Sequence, residues 1–259
     1  MTTANANNET DRPGVMSRLR LYNIAMGVLH AVQGVAILVL GNSFTLPVTG
    51  TFLEGPPGSA SADPIRLADL SVAWGVAIFL FLSAGFHLLI SLPGFFERYC
   101  NGLAHSRNYF RWVEYSLSSS VMIALIAMLT GISDIAALVA LFGVNASMIF
   151  FGAVQEKYER TGGSLLPFWL GSVAGAIPWI AIAFYLFSPG SPAEPPGFVY
   201  GIFFSLFVFF NVFALNMWLQ YRKVGRWHSY LQGERAYVLL SLVAKSALAW
   251  QVFGGTLAI

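Results

Sequence analysis

Polar and apolar positions divide this chain into long blocks. Residues 1–17 are polar throughout, and apolar residues then dominate runs near 18–40, 67–91, 108–130, 134–156, 166–187, 197–221 and 236–257. Each run suits the roughly 20 apolar residues that a helix needs to cross a bilayer. The pattern predicts an all-α membrane protein: a polar N-terminal segment, 1–17, followed by one domain of seven transmembrane helices over 18–257. The polar start resembles neither a signal peptide nor a transit peptide, so the first run is expected to be a retained helix. Only Gly131, Ile132 and Ser133 separate the third and fourth runs, and Asp134 is placed to cap the fourth, which predicts a tight helical hairpin. The first connection, about 41–66, is the one long loop. Its SFTLPVTGTF stretch alternates apolar and hydroxyl residues around Pro47 and Gly50, as a short β-hairpin capping the outer face would. The turn-rich GPPGSASADP that follows suits an unstructured loop instead, and SPGSPAEPPG in the fifth connection reads as a rigid polar turn.

Composition narrows the class. Of 259 residues, 56% are hydrophobic and 10% charged, against about a quarter charged in soluble domains, so a water-soluble globule is excluded. A net charge of +2, with its charges scattered, excludes a nucleic-acid partner. The single Cys100 excludes an internal disulfide and a cysteine-based metal cluster, and no metal site is expected. Lys and Arg orient the bundle, since positive loops stay cytoplasmic. Arg12, Arg18, Arg20, Arg98, Arg107, Lys157, Arg160, Arg222, Lys223, Arg226 and Arg235 flank the N-terminus and the even-numbered loops, while Arg66 lies opposite; Arg111 and Lys245 fall inside spans. The expected protein is therefore a multi-pass cell-membrane protein with its N-terminus inside, its C-terminus outside and membrane lipids as neighbours. The basic runs are topology signals first and anionic-lipid contacts second.

A charge in mid-bilayer costs about 2.5–3.5 kcal/mol on insertion scales, so it needs a partner or a purpose. Lys245 lies near the middle of the seventh run, and Glu114 is the acid farthest inside any run. At 1.5 Å per residue they sit about 14 Å and about 10 Å from the cytoplasmic ends, close enough to share a level. Two readings stand side by side. The pair is either a structural ion pair between helices, or a site where a lysine amine in a dry pocket condenses with an aldehyde and the acid governs how firmly the resulting imine holds its proton. The neighbours suit the second reading: Arg111, Glu114, Ser118 and Met122 share one helix face, and Ser241 lies one turn before Lys245.

RWVEYSLSS in the third run and SLVAKSALAWQ in the seventh resemble the counterion and lysine segments of microbial rhodopsins. Together with GVLHAVQG (His30), SAGFHLL (Ser83, His87) and FNVFALNMWLQ, the chain is most similar to the heliorhodopsins, seven-helix retinal proteins of inverted orientation. The resemblance implies all-trans retinal held covalently by Lys245 as a protonated Schiff base, with Glu114 as the counterion. It places Ser241, Ser83, Tyr115, Ser119, Met122, Asn145, Met148, Ile149, Trp169 and Phe210 around the chromophore, and His30 and His87 in a polar, proton-accepting cavity on the cytoplasmic side. It also implies a homodimer assisted by the first loop, and a photoreceptor that signals to an unnamed cytoplasmic partner rather than an enzyme. Read singly, each of these residues equally suits ordinary helix packing. Arg111 either steadies Glu114 or reaches the cytoplasmic interface, and Asn145, Asn211, Asn216 and Gln220 equally suit interhelical hydrogen bonds. The chain departs from ion pumps at two places: Ser241 stands where proton pumps keep an aspartate, and Leu125 where they often keep a second carboxylate. Two alternatives remain open, a light-driven pump or channel and a retinal-free transporter using the Lys–Glu pair.

Overall fold

A computed structural model of the chain describes residues 14–59, 62–159, 161–188 and 194–258. Residues 1–13, Arg12 among them, Arg160 and half of the SPGSPAEPPG turn lie outside the described residues. Seven helices are long and apolar enough to span a membrane: α1 (Val15–Leu40), α2 (Val72–Leu89), α4 (Tyr109–Leu129), α5 (Ile135–Tyr158), α6 (Leu166–Leu186), α7 (Gly197–Arg222) and α8 (Tyr230–Val252), the last running on into a π-helical turn, Phe253–Leu257. Between the second and third spans lies α3 (Pro93–Ala104).

The helices run alternately up and down, so α1 begins, α2 ends and α8 begins at one end of the bundle, where most of the described Lys and Arg residues also lie. This is termed the basic end. The opposite end carries a two-stranded antiparallel sheet, β1 (Thr45–Gly50) with β2 (Ile65–Ser71). The expected hairpin within SFTLPVTGTF is thereby corrected: β1 lies there, but most of its partner, from Leu67 to Ser71, comes from residues that the apolar pattern assigned to the second helix. IRLADLS pairs Leu70 with Leu46 and Asp69 with Pro47, and α2 starts only at Val72, with Ser71 accepting a bond from the Trp74 N–H. The sheet docks on the α4–α5 turn, where Thr49 N donates to Ser133 O at 2.8 Å. Asp134 caps α5 as expected, accepting from the Ala136 and Ala137 N–H groups. Gly131 makes the reversal at φ +98°, in the left-handed region that favours glycine.

α4 is the axis of the bundle. It packs against α2, α5, α6 and α7, and 67% of its apolar window is buried, against 22% for α5, with Tyr109, Val113 and Leu117 forming its exposed stripe. In the hairpin half, Ile123, Leu125 and Ile126 of α4 join Phe79, Ile202, Leu206 and Leu248 in one apolar core. At the basic end a smaller cluster seats α3: Tyr99 and Leu103 pack against Leu19, Ile90 and Leu231. Burial pushes the Tyr99 hydroxyl up to about 12, with the neighbouring Asn23 acting in the opposite sense. The seventh helix begins six residues earlier than the hydropathy pattern placed it, at Tyr230, which brings Glu234 into the bundle.

Candidate functional site

The site starts from the central helix. One face of α4 presents Glu114 to α8, where the buried Lys245 Nζ lies 3.0 Å from Glu114 Oε1. A second bond runs from the amine to Ser241 Oγ at 2.8 Å, one helical turn back. From α2, Ser83 Oγ donates to the same Glu114 Oε1 at 2.6 Å. Lys245 and Glu114 are 3% and 4% exposed, so neither charge is solvated by bulk water and each depends on the other and on these two hydroxyls. The Lys245 ammonium also stands 5.2 Å from the centre of the Tyr115 ring.

Lys245 lines an apolar cavity of about 830 Å³, its open mouth included. Tyr115, Ser119 and Met122 come to its wall from α4, Met148 and Ile149 from α5, and Phe210 from α7. Trp112, Phe168, Phe213, Met217 and Tyr237 line it as well, and sequence reasoning did not name them. Trp169 is a correction. Its ring is 56% exposed on the outer side of α6, edge-on to Phe168, because Phe168, Gly171 and Ser172 are the residues that α6 turns to the cavity and Trp169 is about 100° round the helix from Phe168. Asn145 stands behind the wall, donating to Ser119 Oγ at 2.8 Å and Ser120 Oγ at 3.0 Å. Of the other amides, Asn216 and Gln220 bond to Gly233 O and Tyr230 O at the α7–α8 junction, whereas Asn211 bonds back within its own helix.

A second cavity, about 380 Å³, lies on the other side of Glu114 and is more polar than the first: Asn23, His87, Tyr99, Asn108, Arg111 and Glu234 reach it, beside Phe86, Ile90, Phe110 and Val238. Tyr115 and Tyr237 border both cavities, joined by a bond from Tyr115 Oη to Tyr237 O at 2.9 Å, and so form the partition. His87 Nδ1 lies 2.8 Å from Asn23 Oδ1. Asn23 Nδ2 is committed to Leu19 O, so Oδ1 is the acceptor, His87 Nδ1 carries the proton and Nε2 keeps a lone pair. His30 stands behind His87, rings stacked at 5.8 Å, and neither of its nitrogens has a hydrogen-bond partner among the described residues.

Arg111 takes neither role that the sequence left open. It is 7% exposed and closes the basic end of the polar cavity between two carboxylates, Glu156 at 2.6 Å and Glu234, with its guanidinium over the rings of Trp112 and Tyr237. Asn108 Nδ2 donates to Glu234 at 2.7 Å, while Asn108 N, Trp112 Nε1 and Tyr230 Oη donate to Glu156. Glu156 and Glu234 were missed because both fall where the apolar windows end, Glu156 at the edge of the fourth run and Glu234 before the seventh. The signal available was spacing: Glu156 lies in the polar QEKY end of α5, and Glu234 is three turns before Lys245.

The arrangement is an amine inside an apolar cavity, one acid beside it, and a second, more polar cavity on the far side of that acid. The larger cavity's polar atoms are few, chiefly the Lys245 amine and the hydroxyls of Ser119, Ser172 and Ser241, which fits a long apolar aldehyde such as retinal. A family model described as Heliorhodopsin matches residues 19–257 of the chain. No curated protein matches it.

Proposed function

The chain belongs to the heliorhodopsins, retinal-binding, rhodopsin-like photoreceptors of the membrane, and from that premise we propose that Lys245 holds all-trans retinal through a protonated Schiff base with Glu114 as its counterion. The observation that carries this assignment is the Lys245–Glu114 contact at the wall of an apolar cavity. Retinal, when bound, supplies visible absorption and a light-driven isomerisation.

The protein's own groups do the rest. Glu114 is fixed by Ser83, so its charge stays in place when the Lys245 nitrogen shifts. Separated from that charge in a buried site, the nitrogen holds its proton less favourably. The route away from Glu114 leads through the polar cavity, where the His87 Nε2 lone pair is the acceptor of suitable chemistry and the His30 ring packs behind it. Arg111, with Glu156 and Glu234, bars the end of that cavity. The proton therefore leaves and returns on the same side, and the protein signals rather than transports. The basic end faces the cytoplasm in this reading, by the preference of Lys and Arg for that side. The homodimer, the single retinal-binding domain over 18–257 and a cytoplasmic signalling partner belong to the same proposal.

The test is spectroscopic. All-trans retinal added to the purified protein produces a visible absorption band, and Lys245→Ala abolishes it. A wild-type protein that stays colourless, or a variant that keeps the band, overturns the assignment; the first result would favour a retinal-free transporter.

A further inference from the structure

Beyond the photoreceptor site, the basic end holds a cavity that light absorption does not use. It lies where the start of α1, the short 3₁₀ turn Gly225–His228 and the first turns of α8 meet, and measures about 610 Å³ with its mouth. Val15, Arg226, His228, Ser229, Leu231, Gln232 and Arg235 form its wall, with no acidic side chain among them. Arg226 and Arg235 are exposed and take part in no ion pair among the described residues, whereas Arg66, Arg111 and Lys245 each have a carboxylate. The acid next in sequence, Glu234, is turned inward to Arg111 and Asn108. His228 Nδ1 lies 2.7 Å from Gly225 O and so donates to it, which fixes the ring within the turn. The first turn of α8 adds backbone N–H groups at the positive end of a 23-residue helix.

We propose that this cavity binds a phosphate group. The guanidiniums of Arg226, from the 3₁₀ turn, and Arg235, from α8, stand with the α8 N-terminus on the wall of one cavity and together supply several N–H donors. A phosphate, with three charged oxygens, can engage such a set, and arginine suits it through paired N–H donors. Its place at the end of the spans allows two carriers with the same chemistry: the headgroup of an anionic lipid, or a soluble phosphate compound.

The full chain in detergent is titrated with phosphatidylglycerol, with phosphatidylcholine and with inorganic phosphate, following retained mass by native mass spectrometry and the melting temperature. The Arg226→Gln/Arg235→Gln variant is compared with Arg222→Gln/Lys223→Gln, which removes the same charge from exposed positions outside the cavity. Circular dichroism and gel filtration confirm that both variants fold. Loss of two charged donors should weaken the cavity ligand roughly tenfold or more, while the control pair stays near wild type. Selective binding of phosphatidylglycerol assigns the lipid source; protection by inorganic phosphate alone assigns the soluble one. Equal weakening in both variants, binding unchanged in the cavity variant, or phosphatidylcholine held as tightly as phosphatidylglycerol would overturn the proposal.

Discussion

Arg66 and Arg111 each stand beside a carboxylate, and burial makes them unlike. The Arg66–Asp69 pair has side chains 62% and 45% exposed, whereas those of Arg111 and Glu156 are 5% exposed each. Water already solvates the first pair, so Arg66→Gln should cost less than about 1 kcal/mol. Arg111→Gln strands two buried acids and removes a cation from over two rings, for a loss of roughly 3–5 kcal/mol. Unfolding of both variants in mixed micelles measures the difference, and equal costs would show that the Arg111 cluster is far more hydrated than its geometry indicates. Glu114 allows a second prediction at this scale. A counterion near the nitrogen end of the chromophore stabilises the ground state, where positive charge is concentrated there, so Glu114→Gln should move the absorption band to the red. An unmoved band would remove Glu114 from the counterion role. Lys245 and Glu114 were legible in the sequence because a charge within an apolar run stands out. Glu156 and Glu234 were not, since a hydropathy window treats the polar end of a helix as loop even when tertiary packing buries it.

Among the elements, α5 shows how a glycine can serve one neighbour and not another. A Cβ on Gly152 would lie 2.5 Å from Trp112 Cζ3 and 2.7 Å from Cη2. That ring cannot easily yield, because its Nε1 bonds to Glu156 and its face carries Arg111. Gly152→Ala should therefore cost about 1–3 kcal/mol by overpacking and shift the retinal band, because Trp112 lines the cavity proposed to hold the chromophore. Gly143, on the same helix, is exposed with nothing near its Cβ position, so Gly143→Ala should leave stability unchanged or raise it by up to about 1 kcal/mol. Melting curves and absorption spectra of the two variants check both outcomes. The spans themselves were readable to within a few residues at most ends, because twenty apolar residues leave few alternatives. Two elements escaped. α3 is too short and too mixed to register as a span, and its buried side shows only in Tyr99 and Leu103. β2 was absorbed into the second apolar run because its Leu67 and Leu70 are as apolar as the helix they precede, and only the pairing with β1 separates them.

At the scale of the molecule, the question is whether the site at Lys245 opens to one side or to both. His30, His87, Arg111, Glu156 and Glu234, the other buried ionisable side chains of imidazole, guanidinium or carboxylate type among the described residues, gather around the polar cavity and the cluster beyond it. Toward the hairpin end, Lys245 is followed on its helix by Leu248, Ala249 and Val252, and these pack with Ile123, Leu125, Ile126, Ile202 and Leu206. A proton crossing that layer would need an acceptor, and Leu125, 1% exposed, occupies the place where the resemblance to pumps would put a carboxylate. Crossing without one means placing a charge in hydrocarbon-like surroundings at a cost of several kcal/mol. If Lys245 carries the Schiff base as proposed, moving the nitrogen away from Glu114 should exchange a proton with the basic side alone. Cells carrying the pigment should show no sustained change in external pH under continuous light, whereas the purified protein should show a transient deprotonation in flash spectroscopy. A sustained light-driven pH change that a protonophore abolishes would mean that the apolar layer opens during the photocycle, and the protein would then have to be regarded as a transporter.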